Sequence, residues 1–143
     1  MAIALNKCNA FVADIHNGVH NLSSGTLKIS LSNTATVATN SVWADISGND
    51  LGTAGGYTAG GAAVTIASST QTSGTYKLIS STPVVWTATA AGIGPFRYIT
   101  LRNSTPAAGP LIGWYDYGSS ITLANTETFT VTFDGTNGIF SCT

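Results

Sequence analysis

Apolar and polar residues alternate in short runs along most of the chain. The run TETFTVTFD places Phe129, Val131 and Phe133 at every second position, with threonines between them. A β-strand with one buried face has this period of two, because successive side chains point to opposite faces of the sheet. TLKISL follows the same pattern, and further strand candidates lie at 62–68, 75–80, 84–89, 96–103, 111–117, 120–124 and 138–143.

Turn signals rich in glycine and proline separate these candidates, for example Ser73-Gly74, Gly94-Pro95 and Asp134-Gly135. About nine short strands without strand–helix alternation predict an all-β fold, an antiparallel β-sandwich or jelly roll. The apolar faces of the strands also predict a core. It consists of Leu27, Ile29, Leu31, Val64, Ile66, Leu78, Ile99, Leu101, Phe129, Val131 and Phe133.

The first 22 residues have a different period. Apolar residues recur there at spacings of three and four, which predicts an amphipathic helix that Gly18 ends or bends. We therefore expect a single domain with a helical segment at 1–24 and a β-sandwich at 25–143. The helix either lies on its own sheet or is buried against partner chains. The apolar positions are Leu5, Cys8, Val12, Ile15, Val19 and Leu22, with Phe11 beside them.

Charge is scarce in the 143 residues. Asp, Glu, Lys and Arg make up 8% of the chain, against roughly 25% in an average domain. Such a surface repels its neighbours weakly, which suits a protein that works in contact with other proteins, although some extracellular β-domains share this composition. The five basic residues are scattered, which disfavours nucleic-acid binding.

Neither a membrane helix nor a signal peptide is expected, since no apolar run is long enough and the start of the chain lacks the features of a leader. We therefore expect a chain made in the cytoplasm. Cys8 and Cys142 are then expected to be free thiols that act as small apolar residues, because disulfides are rare in that compartment.

The glycine-rich stretch GTAGGYTAGGAAV at 52–64 raises the question of a phosphate-binding loop. A Walker loop requires a Gly-Lys-Ser/Thr ending and a following helix, whereas this stretch has no lysine and leads into a strand. We predict instead an adaptable loop that contacts a partner chain, with a merely solvated loop as the alternative. The predicted interface comprises Phe11, Ile15, Val19, Gly55, Gly56, Tyr57, Gly60 and Gly61.

The sequence offers little for catalysis. His16 and His20 lie four residues apart, but there is no third histidine and no HExxH motif, so no metal and no cofactor are predicted. No nucleophile has a base and an orienting acid within reach. Asp116, in WYDYGSS, could hold a sugar hydroxyl among aromatic rings, or it could cap a turn. We expect a protein that is not an enzyme.

Several phrases together resemble a family of small virion structural proteins of tailed bacteriophages. They run in order through nearly the whole chain and include FVADIHNGVHNL, GGYTAGGAAVTI, SGTYKLI, GPFRYITLRNST and LIGWYDYGSSITLANTETFTVTFDGTNGIF. The resemblance implies a location in the virion and a role in assembly, and it brings no catalytic motif.

Two placements on the particle follow from this resemblance. One is a capsid decoration, or cement, protein that forms a homotrimer and binds the major capsid protein. The other is a tail fibre, baseplate or receptor-binding component that recognises a glycan or a protein of the host.

Overall fold

The structure, a computed structural model, describes residues 4–143. It is an all-β, sandwich-like fold of antiparallel sheets with one α-helix near the start of the described chain, as the alternation predicted. The elements are β1 (Asn6–Lys7), α1 (Asn9–His16), β2 (Leu27–Ser32), β3 (Ala62–Val64), β4 (Ile66–Thr72), β5 (Thr75–Ser80), β6 (Val84–Thr87), β7 (Ile93–Asn103), β8 (Leu111–Leu123), β9 (Thr128–Val131) and β10 (Phe140–Cys142). Two short 3-10 helices, Trp43–Asp45 and Ser47–Asn49, lie between β2 and β3.

The strands form three groups. The largest sheet has the order β1-β8-β7-β2-β3, a second has the order β10-β5-β4, and β6 pairs with β9 alone. One apolar cluster includes side chains from all three groups together with Phe11 of α1. The N-terminal segment therefore belongs to the same core as the strands.

Most of the predicted core residues are buried, but some lie at the margin of the core and other large residues lie at its centre. Ile66, Phe129, Val131 and Phe133 are half-buried and pack at its margin. The remaining predicted positions are buried: Leu27, Ile29, Leu31, Val64, Leu78, Ile99 and Leu101. Large residues that the alternation did not assign also lie inside, namely Tyr57, Trp86, Phe96 and Ile112.

The helix is shorter than predicted because the largest sheet takes up the residues before it. Asn6 and Lys7 pair with Trp114 and Gly113 of β8. A β-carbon on Gly113 would overlap the carbonyl oxygen of Asn6, so the missing side chain is what admits β1 to this edge. Tertiary pairing overrides helical periodicity at these positions.

Gly18 ends the helix, one of the two outcomes that the sequence predicted. It adopts a φ of +70°, and its N–H donates to the carbonyl of Ile15 (3.2 Å). The N–H of Val19 donates to the carbonyl of Asp14 (2.8 Å). This pair of bonds is a Schellman motif, which requires a left-handed residue that glycine provides without strain.

Two turn signals were misplaced. Gly94-Pro95 lies inside β7, at a bulge where the pairing with β8 shifts between Ile93 and Phe96. Gly118 lies inside β8, so that 111–117 and 120–124 form one long strand. Ser73-Gly74, by contrast, joins β4 to β5, with both residues at positive φ as a tight hairpin requires.

Candidate functional site

The glycine-rich segment 52–61 is anchored within the fold by Tyr57. The Tyr57 side chain is 2% exposed. Its hydroxyl donates to Oδ1 of Asp50 (2.5 Å) and accepts from the N–H of Leu31 (3.1 Å). Burial and the hydrogen bond to Asp50 raise the pKa of Tyr57, so the hydroxyl keeps its proton. The prediction of Tyr57 as an anchor for a partner chain is therefore corrected, because the chain itself surrounds the ring.

The second half of the segment is fixed by the same carboxylate and by an arginine. Oδ2 of Asp50 accepts from the N–H of Gly60 (2.6 Å), and the guanidinium of Arg102 donates to the carbonyl of Gly60 (2.9 Å). Arg102 also lies 4.0 Å from the ring centre of Trp43, in a cation–π contact. We call Tyr57, Asp50, Gly60, Arg102 and Trp43 the Tyr57 network.

The glycines of the segment serve close packing. A β-carbon on Gly55 would overlap the carbonyl of Gly92, and one on Gly61 would overlap the carbonyl of Ile29. Both glycines have positive φ. The predicted adaptability is thus replaced by a fixed path against β2 and the start of β7. Gly56 remains exposed, and whether it touches a partner stays a prediction.

The α1 side chains of the predicted interface divide into an inner and an outer group. Phe11 is 4% exposed and meets the rings of Phe140 and His20 edge to face, so it belongs to the core rather than to an interface. Val12 and Ile15 point outward, with 44% and 37% of each exposed, and Val19 follows with 38%. We call Val12, Ile15 and Val19 the helix face.

The two histidines do not share a site. The His16 ring stays on its own helix, where Nδ1 hydrogen-bonds the carbonyl of Val12 (2.7 Å). His20 is buried after the helix, with Nε2 3.9 Å from Oδ2 of Asp14. Burial lowers the pKa of His20, and the nearby Asp14 carboxylate partly opposes that shift. Among residues 4–143 no group of three or more His, Cys, Asp or Glu side chains is arranged to hold a metal ion.

Asp116 is occupied by partners within the chain. Its carboxylate accepts from the guanidinium of Arg97 in a two-pronged pair (2.7 and 2.8 Å) and from the N–H of Gly118 (2.8 Å). The Arg97 and Gly118 hydrogen bonds hold the pKa of this carboxyl below its usual range. The Gly118 bond is the local backbone contact that the turn-capping interpretation expected, but it lies inside β8, so neither sequence interpretation is correct as stated.

An apolar cleft of about 680 Å³ opens between β9 and β10. The chain leaves β9, turns at Asp134–Gly138 and returns as β10, and the two strands diverge from this turn to join different sheets. Aromatic and aliphatic side chains line the cleft: Leu5, Ile99, Tyr115, Tyr117, Phe129, Phe133 and Phe140. We call this the β9–β10 cleft. Sequence reasoning missed it, although the tyrosines at spacing two in WYDY were a signal for one aromatic strand face.

The two thiols also differ in environment. Cys8 is buried, and burial raises its pKa to about 11, whereas Cys142 is exposed. Both are free, as the sequence predicted, but the expectation that each is partly buried and acts as a small apolar residue is wrong for Cys142. Within the described part of the chain, no helix is long and apolar enough to cross a membrane.

The fold and these surfaces define a class: an all-β domain with few surface charges, an exposed helix face and an apolar cleft. Comparisons with protein-family models, with curated proteins and with solved structures found no match.

Proposed function

We propose that this chain is a non-enzymatic structural protein of a bacteriophage virion, a decoration protein that binds and stabilises the shell of major capsid protein. The observation that carries the proposal is the helix face, which exposes Val12, Ile15 and Val19 on a molecule with 8% charged residues. Exposed apolar groups that form a patch indicate a protein contact. The resemblance of the sequence to phage virion proteins supports the same role.

The size of the helix face supports binding as an oligomer. Fully burying a Val or Ile side chain contributes about 1.5–3 kcal/mol, and these side chains are already partly covered, so one face contributes roughly 2–4 kcal/mol. Association costs about 4–15 kcal/mol in lost translational and rotational freedom. A single face is thus too weak, whereas a homotrimer that engages three faces at once gains from its high effective concentration.

The alternative is a tail fibre, baseplate or receptor-binding component. The resemblance to virion proteins leaves this placement open, and it requires a site for a glycan or a protein of the host. Asp116, which the sequence offered as a group for a sugar hydroxyl, already accepts from Arg97 and Gly118, so it is a poor glycan contact; binding to a host protein is not affected.

The copy number per particle tests the proposal. Quantitative mass spectrometry of purified virions should give hundreds of copies, in a fixed ratio to the major capsid protein. A dozen or so copies would indicate the tail, and absence from the particle would overturn both placements.

A pair of matched variants tests the surface. Ile15→Asp adds a charge to the helix face, and Val85→Asp adds one to β6, where Val85 is also exposed. Ile15→Asp should lower incorporation into particles at least tenfold, while Val85→Asp should incorporate normally. Equal incorporation of the two variants would show that the helix face is not the capsid contact.

A further inference from the structure

The β9–β10 cleft is bordered by two strand edges. Within residues 4–143, β9 pairs only with β6 and β10 pairs only with β5, so each strand lies at the edge of its sheet. The cleft is lined by the consecutive residues 129–133 on one side and 137–141 on the other. Successive side chains of a strand point to opposite faces, so a cleft on one face would be lined by alternate residues. Consecutive residues line this cleft, which indicates that it lies at the edge of the strand. We infer that the free backbone edges of both strands face the cleft, where the carbonyl of Ile139 already accepts from the hydroxyl of Tyr115 (3.3 Å).

These edges lack the devices that normally prevent strand addition. Proteins protect edge strands with charged side chains, proline or bulges. β9 reads TFTV and continues as TF, and β10 reads FSC, with neither a charge nor a proline. Phe129, Val131 and Phe133 supply apolar sites on alternate residues, each of them half-buried and able to accept a further apolar neighbour.

We propose that the β9–β10 cleft binds an extended, uncharged segment of another protein, which adds as a strand to the edge of β9. Backbone hydrogen bonds would provide affinity, and apolar side chains at alternate positions of the segment would fill the cleft. This inference does not rest on the placement of the chain on the particle, and it concerns a surface distinct from the helix face.

The chemistry of the cleft favours a polypeptide over a glycan. Among the described residues that line the cleft, Asp134 carries the one charged side chain. Its carboxylate already accepts from the N–H groups of Thr136 (2.7 Å) and Asn137 (2.9 Å) and from Nδ2 of Asn137 (2.9 Å). A sugar would find aromatic rings and the hydroxyls of Tyr117, Thr130, Thr132 and Ser141. Only an extended peptide, however, can pair with the backbone N–H and C=O groups along a strand edge.

A second copy of the chain is also a poor donor. In residues 4–143, each strand is already held in a sheet, so a second copy could offer only another sheet edge, such as its own β9, and no free strand that could enter the cleft between β9 and β10.

The test uses a synthetic peptide on the intact protein. The probe is a blocked hexapeptide of alternating threonine and valine, followed by amide chemical shifts of the protein. We expect saturable binding with shifts confined to 129–133 and 137–141. The same hexapeptide with alternate N-methyl groups keeps the side chains but lacks the N–H donors, and it should bind at least tenfold more weakly.

Two protein variants locate the site. Thr132 and Thr128 are both exposed on the same chain segment, but Thr132 lines the cleft and Thr128 does not. Thr132→Lys should weaken peptide binding at least tenfold, and Thr128→Lys should leave it unchanged.

Several outcomes would overturn the proposal. They are no peptide binding at millimolar concentration, equal binding of the N-methylated peptide, equal effects of the two lysine variants, or preferential binding of a neutral glucose oligosaccharide at the same amides. Self-association of the free protein that Thr132→Lys abolishes would identify a second copy as the occupant instead.

Discussion

Removing the hydroxyl of Tyr57 tests how the glycine-rich segment is held. β3 pairs with residues 27–29 of β2 and ends before Leu31. The Tyr57 hydroxyl therefore takes the place of a neighbouring strand by accepting from the N–H of Leu31, while it donates to Asp50. Tyr57→Phe keeps the ring and removes both bonds.

The expected cost follows from these two partners. A hydrogen bond to a charged group contributes about 1.5–3 kcal/mol, and leaving a buried N–H unsatisfied costs about 1–3 kcal/mol. Allowing for partial rearrangement and access of water to Asp50, we expect Tyr57→Phe to lower the free energy of unfolding by roughly 2–4 kcal/mol. This is a large part of the ~5–15 kcal/mol that stabilises a typical domain.

Urea denaturation measures this loss, with Tyr76→Phe as the matched control. Tyr76 is half-buried, and its hydroxyl bonds only the hydroxyl of Ser69 (2.8 Å), so its removal should cost about 0.5–1.5 kcal/mol. Amide exchange at Gly60 should be slow in the wild-type protein and faster in Tyr57→Phe. A Tyr57→Phe cost no greater than that of Tyr76→Phe would refute the reasoning.

Three further outcomes are expected. Because burial lowers the pKa of His20, the unfolded chain takes up a proton first as the pH falls below about 6.5, so stability is lost toward pH 5; His20→Gln should flatten this dependence in urea titrations at pH 7.5 and 5. A thiol reagent should modify Cys142 rapidly and Cys8 only on unfolding, which absorbance of the released product will show. Gly61→Ala should lower the thermal midpoint strongly because its β-carbon overlaps the carbonyl of Ile29, whereas Gly48→Ala, in open space without positive φ, should change it little.

The β-strands were predictable because a strand with one buried and one exposed face has alternating apolar and polar residues. Phe129 and Val131 face inward and Thr128 and Thr130 face outward, as the alternation requires. The predicted extent of burial was less accurate, because the alternation shows which side of a strand is apolar but not whether another layer covers it. The residues of β9 border an open cleft, and their inner side chains are therefore half-buried.

The predictions of the helix length and of an adaptable glycine-rich segment were wrong for a different reason. Nothing near Leu5 in the sequence indicates that Gly113 lies opposite and admits a strand. Likewise, the environment of Tyr57 depends on Leu31, which is 26 residues away in the chain. Local periodicity carries no information on such distant partners, so glycines that serve close packing resemble glycines of a mobile loop.

The structure also shows how the few charged side chains are used. Many of the few charged side chains hydrogen-bond within the chain, mostly to neutral groups that leave their charge in place. Arg97 and Asp116 instead pair with each other, which lowers the charge that the surface presents. Those with hydrogen bonds inside the chain are Asp45, Asp50, Lys77, Arg97, Arg102, Asp116, Glu127 and Asp134.

The helix face and the β9–β10 cleft are therefore two apolar surfaces on a molecule with little electrostatic protection against association. Protection of this kind keeps isolated monomers dispersed. Where surface charge is scarce, an uncharged strand edge would favour pairing between the strand edges of separate free molecules. It is tolerable if partners cover these surfaces, because an uncharged contact requires no ion to be desolvated when it forms. In the proposed role, the features that leave the free chain open to association would suit it to a permanent place in an assembly.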